Sequence, residues 1–153
     1  MFTHLLVPLD GSRFGSKAIE YAVEIAKRFN TDITLLQVVK PATPILASPI
    51  VSSLTTADVT VQTAYMEDKR NVSRARHYLS GKAKEIRSQN ITTEFQVIIG
   101  EPAESIKEFV GKKHIDLIVM SGHGKNVVKR ATMGSTADAV IRKSDKPVLV
   151  IHP

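Results

Sequence analysis

Residues 115–140 read "IDLIVMSGHGKNVVKRATMGSTADAV" and join an apolar run to a basic segment that lies between two glycine-bearing turns. The run "IDLIVM" (115–120) is nearly continuous in apolar residues, which is typical of a strand buried on both faces of a parallel sheet. The letters "GSTADAV" predict a new helix, in which Ser135 and Asp138 stand at the spacing of a capping box. A buried strand, a turn and a helix together form one unit of an α/β fold.

Short apolar or alternating segments predict four further strands, at residues 4–9, 32–39, 91–99 and 147–151. Helical spacing of apolar residues predicts helices between them, over residues 13–29, from about 61 to 87, and within 100–113. Ser12 is placed to cap the first helix and Asn30 to end it. The stripes expected to face the sheet are Phe14, Ala18, Ala22, Ile25, Ala26 and Phe29 in the first helix, and Val61, Tyr65, Val72, Ala75, Leu79 and Ile86 in the second.

This alternation predicts an α/β fold: a doubly wound, Rossmann-like, five-stranded parallel sheet of order 3-2-1-4-5 with helices on both faces. The 153 residues fit a single domain, 1–153, and are 42% hydrophobic and 24% charged, as in an ordinary globular protein. There is no cysteine, so neither a disulfide nor a thiolate metal site is possible. The apolar start meets Asp10 too soon for a signal peptide, and no run is long enough for a membrane helix, so we expect a cytoplasmic protein.

The net charge of +6 has its densest block in residues 68–87. Its apolar residues fall at helical spacing and no aromatic residues alternate with the basic ones, which favours a solvated helix face over a nucleic-acid-binding surface. Residues 40–59 contain Pro41, Pro44 and Pro49 and predict a mobile loop or lid.

Ligands of open parallel sheets bind beyond the carboxyl ends of the strands, where the winding reverses. In the predicted order the reversal lies between strands one and four, so the turns "LDGS" (9–12) and "SGHG" (121–124) would face each other. Gly124 and Gly134 would let backbone amides approach an anion, and the following helix N-terminus would add donors. Taken alone, each segment is equally an ordinary turn or helix cap. The Walker and dinucleotide-binding patterns are absent.

The whole chain resembles the universal stress proteins through "HLLVPLDGS", "ITLLQVV", "IIGEPAESI", "DLIVMSGHG" and "MGSTADAVIRKSDKPVLVI". The ATP-binding branch of that family carries G-x2-G-x9-G-[ST]. Ser121, Gly124, Gly134 and Ser135 occupy these four positions, with serine in place of the first glycine. Serine is tolerated there if the position brings only its backbone near the ligand, and disfavoured if it needs a positive φ.

The resemblance implies that the chain binds ATP, with ADP or AMP as alternatives. Asp10 would lie near the ribose, because a carboxylate can accept hydrogen bonds from the ribose hydroxyls. Mg²⁺ would arrive with the triphosphate, because no cluster of carboxylates is visible to bind it alone. The binding residues implied are Pro8, Leu9 and Val38 for the adenosine, Met120 and Ser121 for the pocket floor and ribose, and Gly124, Gly134, Ser135 and Thr136 for the phosphates.

The family also pairs through its last strand, which implies a homodimer through residues 147–151. This pairing would cover an apolar strand that is otherwise an exposed sheet edge. Three functions are left open: an ATP-binding stress-response regulator with at most slow hydrolysis, a true ATPase or phosphotransferase, and a nucleotide-free interaction module. The regulator is favoured, because the histidines lack metal-ligand spacing and no G-x-S-x-G elbow is present.

Overall fold

The computed structural model describes residues 2–42, 55–123 and 133–152, with the backbone alone for 55–60. These residues form a five-stranded parallel sheet of order β3-β2-β1-β4-β5, which confirms the predicted topology. The elements along the chain are β1 (His4–Leu9), α1 (Arg13–Phe29), β2 (Asp32–Val39), α2 (Thr55–Arg87), β3 (Thr93–Ile99), α3 (Pro102–Lys112), β4 (Leu117–Ser121), α4 (Ser135–Lys143) and β5 (Val148–Ile151).

The winding of the sheet reverses beside β1. β1 pairs with β2 along its full length, from His4 beside Asp32 to Leu9 beside Gln37. On its other side β1 pairs with β4, with Leu5 beside Leu117. The carboxyl ends of β1 and β4 therefore adjoin at the point where ligands of doubly wound sheets bind.

Each face of the sheet carries its own apolar core. α1 and α2 cover one face, where Leu5, Val7 and Leu35 are fully buried. α3 and α4 cover the other face, where Leu6, Leu36 and Ile118 are fully buried. Strands buried on both faces lose the polar alternation of a half-exposed strand, which is why β1 and β4 are nearly continuous in apolar residues.

The ends of α1 follow the predicted signals. The Ser12 hydroxyl accepts a hydrogen bond from the amide of Gly15, 3.2 Å away, and Asn30 ends the helix in the left-handed region at φ 53°. The stripe is only partly as predicted: Ala18, Ala22 and Ala26 are buried, whereas Phe14 and Phe29 are 42% and 48% exposed. The small residues at the centre of the stripe bring the helix close to the sheet, and its two terminal rings extend past the covered surface.

Three further expectations need correction. α2 begins at Thr55, inside the predicted loop, and residues 43–54 of that loop lie outside the described residues. Tyr65 of α2 is 55% exposed, not buried. The N-cap of α4 is Gly134 and not Ser135, so the predicted capping box is wrong, and the Asp138 carboxylate instead accepts a hydrogen bond from Arg142 at 2.9 Å.

The basic block lies on α2 as expected. Its charged side chains at Lys69, Arg70, Arg74 and Arg76 are exposed, as a solvated helix face requires. Within the described ranges, no helix is both long and apolar enough to cross a bilayer.

Candidate functional site

The turn after β1 is held by its own side chains. Oδ1 of Asp10 accepts a hydrogen bond of 2.9 Å from the amide of Ser12, and Gly11 between them takes φ 74°, a conformation that favours glycine. A Cβ added at Gly15 would lie 3.2 Å from the Leu9 side chain, so the first turn of α1 sits close against the end of β1. This packing places the half-buried Asp10 at the carboxyl edge of the sheet.

The turn after β4 is tied to β5 and to α4. The amide of Gly122 donates a 2.9 Å hydrogen bond to the carbonyl of Ile151, and the amide of Gly134 donates one of 2.6 Å to the carbonyl of Gly122. A Cβ on Gly122 would stand 3.0 Å from the Cγ1 methyl of Val150, so a larger residue there requires a small movement of that side chain. The chain thus leaves the sheet at Gly122 and returns to the same place at Gly134.

The two turns face each other, as the strand order predicts. The ring of His123, after β4, lies 6.3 Å from the ring of Phe14 in the first turn of α1. On its other side His123 meets His152 at 6.0 Å, edge to face. His123 therefore lies between the first turn of α1 and the end of β5. We call the region between the turns after β1 and β4 the crevice.

The helix N-termini that follow β1 and β4, those of α1 and α4, differ. The Ser12 hydroxyl caps α1, whereas no side chain in the described part of the chain caps α4 through a hydrogen bond. The first amides of a helix have no partner within the helix, and they carry the positive end of its dipole. The N-terminus of α4, at Gly134, Ser135 and Thr136, is therefore the end better suited to an anion.

Ser121 does not require a glycine conformation. It is the last residue of β4 and pairs with Ile151, and it is not among the positive-φ residues of the described chain, which are Asn30, Asn90 and Gly11. Its hydroxyl accepts a hydrogen bond of 3.2 Å from the amide of His123. Serine is thus accommodated without strain where the motif has its first glycine.

The remaining predicted residues divide by their surroundings. The side chains of Leu9 and Met120 are buried in the two opposite cores, which leaves their backbones at the edge of the sheet. Pro8 and Val38 are half-buried near the carboxyl ends of β1 and β2. Gly124 lies outside the described residues.

Gln37 was missed by the motif reasoning. It lies beside Leu9 near the end of β2, and its buried Oε1 has no hydrogen-bond partner among the described residues. A buried acceptor without a partner is costly, so it indicates a group that the described chain does not supply. The signal in the sequence was a single glutamine within the largely apolar run "ITLLQVV".

The fold and the crevice define a Rossmann-like α/β domain with an anion-suited helix terminus at its switch point. The chain matches the model of the universal stress protein family over residues 1–152, and it belongs to that family. The universal stress protein MJ0531 of Methanocaldococcus jannaschii is 31% identical over 151 residues, which are 99% of this chain and 82% of that protein.

Solved structures of the family share the fold. UspA from Lactobacillus plantarum superposes with a TM-score of 0.82 at 24% identity, over 98% of this chain and 97% of that one. A universal stress protein solved in complex with cAMP gives 0.67 at 22% identity, over 99% and 97% of the two chains. The protein from Archaeoglobus fulgidus solved in complex with dAMP gives 0.59 at 18% identity, over 99% and 98%.

Proposed function

We propose that this chain is an ATP-binding universal stress protein, in which nucleotide occupancy regulates the stress response and hydrolysis is slow at most. The observation that carries the proposal is the hydrogen bond from Gly134 to Gly122, which brings the N-terminus of α4 to the turn after β4, beside the switch point of the sheet. Anionic ligands of doubly wound folds bind at such helix termini.

The phosphates would bind at the start of α4. The amides near Gly134, Ser135 and Thr136 would donate to phosphate oxygens, and Gly124 would complete the set as the second glycine of the motif. The φ of −73° at Gly134 is accessible to any residue, so glycine is not needed there for backbone conformation. Its contribution would be that the phosphates can come close to a backbone without a side chain.

The nucleoside would lie along the ends of β1, β2 and β4. Asp10 would accept hydrogen bonds from the ribose hydroxyls, beside Pro8, Leu9 and Ser121. The backbone at Val38 would meet the adenine edge, with Met120 forming the floor. The adenine preference draws support from the two family members solved with cAMP and dAMP, because these ligands share the base and differ in the phosphate and sugar.

Mg²⁺ would reach the site with the triphosphate. In the described ranges, no three His, Asp or Glu side chains converge to hold a metal ion. Phosphate oxygens and water are the usual ligands of this ion in nucleotide sites. We expect slow hydrolysis because, among the described residues of the site, we identify no base positioned to orient water and no arginine finger to stabilise the charge of the transition state.

Regulation would act through the dimer formed by the edge strand β5. Leu149 of β5 is 36% exposed, and an apolar edge strand is stabilised by pairing with a second copy. His123 lies between the crevice and His152 at the end of β5, so a ligand that orders the turn after β4 would also bias that edge.

Native mass spectrometry of freshly purified protein, followed by a thermal shift with Mg·ATP, tests the proposal. We expect copurified adenine nucleotide and a melting temperature that rises with ATP concentration, because a ligand of the folded state stabilises it by mass action. GTP should give a smaller shift. No shift at millimolar Mg·ATP would leave a nucleotide-free interaction module, and sustained turnover abolished by Asp10→Ala would indicate an ATPase.

A further inference from the structure

A small apolar cavity opens on the face of the sheet that carries α3 and α4, beside the C-terminal half of α4. Its volume is about 150 Å³. The floor consists of core side chains that are at most 7% exposed: Ile106, Val110, Ile118 and Val140. None of the predicted nucleotide-binding residues lines it.

Lysines surround the opening of this cavity. Lys107, Lys143 and Lys146 line it together with one acidic residue, Asp145. Lys143 donates a hydrogen bond to Glu104, which links α4 to α3 and lowers the pKa of that carboxyl group. Lys107 and Lys146 form no ion pair within 4.0 Å among the described residues. Lys107 acts on Glu104 and Lys146 on Asp116 over a longer distance, so neither ammonium group is neutralised by a direct contact.

The turn that carries Lys146 has a defined conformation. The hydroxyl of Ser144 accepts a hydrogen bond of 3.0 Å from the amide of Lys146 and donates one of 3.1 Å to its carbonyl oxygen. One side of the opening is thereby held in place before any ligand arrives, which reduces the entropy cost of binding.

The size of the cavity selects the kind of ligand. Sites for nucleotides and other drug-sized molecules usually measure about 300–1,000 Å³, whereas a cavity of about 150 Å³ holds roughly one benzene ring. This cavity therefore accepts a single apolar side chain, of the kind that anchors a protein interface. The lysines at its opening complement negative charge on either side of that anchor.

We propose that this cavity is a docking site for an acidic peptide segment of a partner protein, with one phenylalanine or leucine side chain as the anchor and flanking carboxylates on Lys107 and Lys146. The cavity shares no lining residue with the proposed nucleotide site. Loss of nucleotide binding would leave it intact, and its own failure would leave the proposed function untouched.

The test is a methyl NMR titration of the labelled full chain with the acetylated, amidated peptide Gly-Asp-Glu-Phe-Glu-Asp-Gly. We expect the methyl groups of Ile106, Val110, Ile118 and Val140 to shift together, with a Kd of roughly 0.1–1 mM for one anchor. Replacing the phenylalanine of the peptide with alanine should weaken binding by about 10- to 100-fold. Added salt should weaken it further.

Two pairs of variants separate the cavity from general effects. Gly111 lines the cavity and Gly81 lies on α2, and a Cβ at either helical position meets no atom within 4 Å, so both tolerate a side chain. Gly111→Leu should weaken peptide binding at least about tenfold, because a leucine side chain would obstruct the cavity and exclude the anchor. Gly81→Leu should leave peptide binding unchanged. Lys107→Glu should weaken it, whereas Lys17→Glu on α1 makes the same change in net charge and should not.

Several results would overturn the proposal. The first is equal binding of the neutral peptide Gly-Asn-Gln-Phe-Gln-Asn-Gly, and the second is unchanged binding to Gly111→Leu. Phenylacetate that binds as tightly as the peptide would indicate a site for small carboxylates. Methyl shifts that depend on protein concentration without peptide would indicate a second copy of this chain as the occupant.

Discussion

The amide of Gly134 donates a hydrogen bond of 2.6 Å to the carbonyl oxygen of Gly122. This bond joins the start of α4 to the turn after β4, although eleven positions separate the two glycines in the sequence. The amide of Gly122 is bonded in turn to Ile151 of the edge strand. The proposed phosphate site and the proposed dimer edge are therefore linked through two consecutive backbone hydrogen bonds.

Gly134→Val should lower ATP affinity at least about tenfold while the protein stays folded, because a branched side chain would occupy the path of the phosphates and each tenfold costs about 1.4 kcal/mol. The φ of −73° and ψ of 148° at this residue suit valine, so the fold itself does not need glycine there. Isothermal titration with Mg·ATP measures the loss, and Gly81→Val on α2 is the control. Wild-type affinity in Gly134→Val would place the phosphates elsewhere.

Asp10→Asn should lower ATP affinity by about fivefold to tenfold, because a hydrogen bond to a charged acceptor is stronger than one to a neutral acceptor. Asparagine keeps an oxygen that can accept from the amide of Ser12, so the turn should survive. The control is 2′,3′-dideoxy-ATP, which lacks the ribose hydroxyls and should bind both proteins alike. An equal loss for both nucleotides would argue against the ribose contact.

Ser121→Gly should change ATP affinity by less than about threefold, because glycine relieves backbone strain only at a residue with a positive φ. Ser121 ends β4 in a strand conformation without a positive φ. Titrations of the two proteins under one condition provide the measurement. A large gain in affinity for the glycine variant would mean that the bound state demands a backbone conformation different from the one described.

Leu149→Lys should convert the expected dimer to a monomer, because a charged residue on an edge strand opposes pairing with a second strand. Ile99 on the opposite edge strand β3 is 51% exposed and provides the matched control, Ile99→Lys. Sedimentation velocity over a range of concentrations measures the masses. A dimer that survives Leu149→Lys and dissociates in Ile99→Lys would move the interface to β3.

Asp116→Ala should lower the free energy of unfolding by about 1–3 kcal/mol at pH 7, because a carboxylate with several hydrogen bonds is lost. Its Oδ2 accepts from the hydroxyl and amide of Thr3 and from the amide of His4, at 2.6, 2.7 and 3.0 Å. Denaturant unfolding measures the change. Glu24→Ala removes an exposed ion pair with Lys27 and should have almost no effect.

The contribution of Asp116 should also depend on pH. The hydrogen bonds from the hydroxyl and amide of Thr3 lower the pKa of this carboxyl below its usual 3.8. A lowered pKa in the folded state means that the stabilisation is present above pH 3.8 and is lost as the pH falls through the folded pKa. Unfolding curves of wild type and Asp116→Ala should therefore converge in acid, and a constant difference down to pH 2 would contradict this account.

Much of the architecture was predictable because its signals are local. The bounds predicted for β1, α1 and β2 agree with the structure, as do the cap at Ser12 and the stop at Asn30. β3 begins at Thr93 and not at 91, since a residue such as Ile91 can be buried without taking part in a ladder. An apolar pattern reports burial, whereas strand bounds depend on the neighbouring chain.

The candidate site was less predictable than the fold. Glycine spacing marked the turn after β4 and the start of α4, but spacing does not distinguish Gly134 from Ser135 as the N-cap, because both residue types are common at that position. The exposure of Phe14 and the contact between its ring and His123 depend on how closely α1 approaches the sheet. Gln37 became visible only in the fold, where its Oε1 is buried and has no hydrogen-bond partner among the described residues.

The sequence alone determined the order of strands and helices, the parallel winding and the switch point, because hydrophobic period and capping chemistry act over a few neighbouring residues. The tertiary structure decided which groups share the crevice and which lysines surround the cavity between α3 and α4. Such contacts join residues far apart in the chain, and their distances depend on how every intervening element is packed.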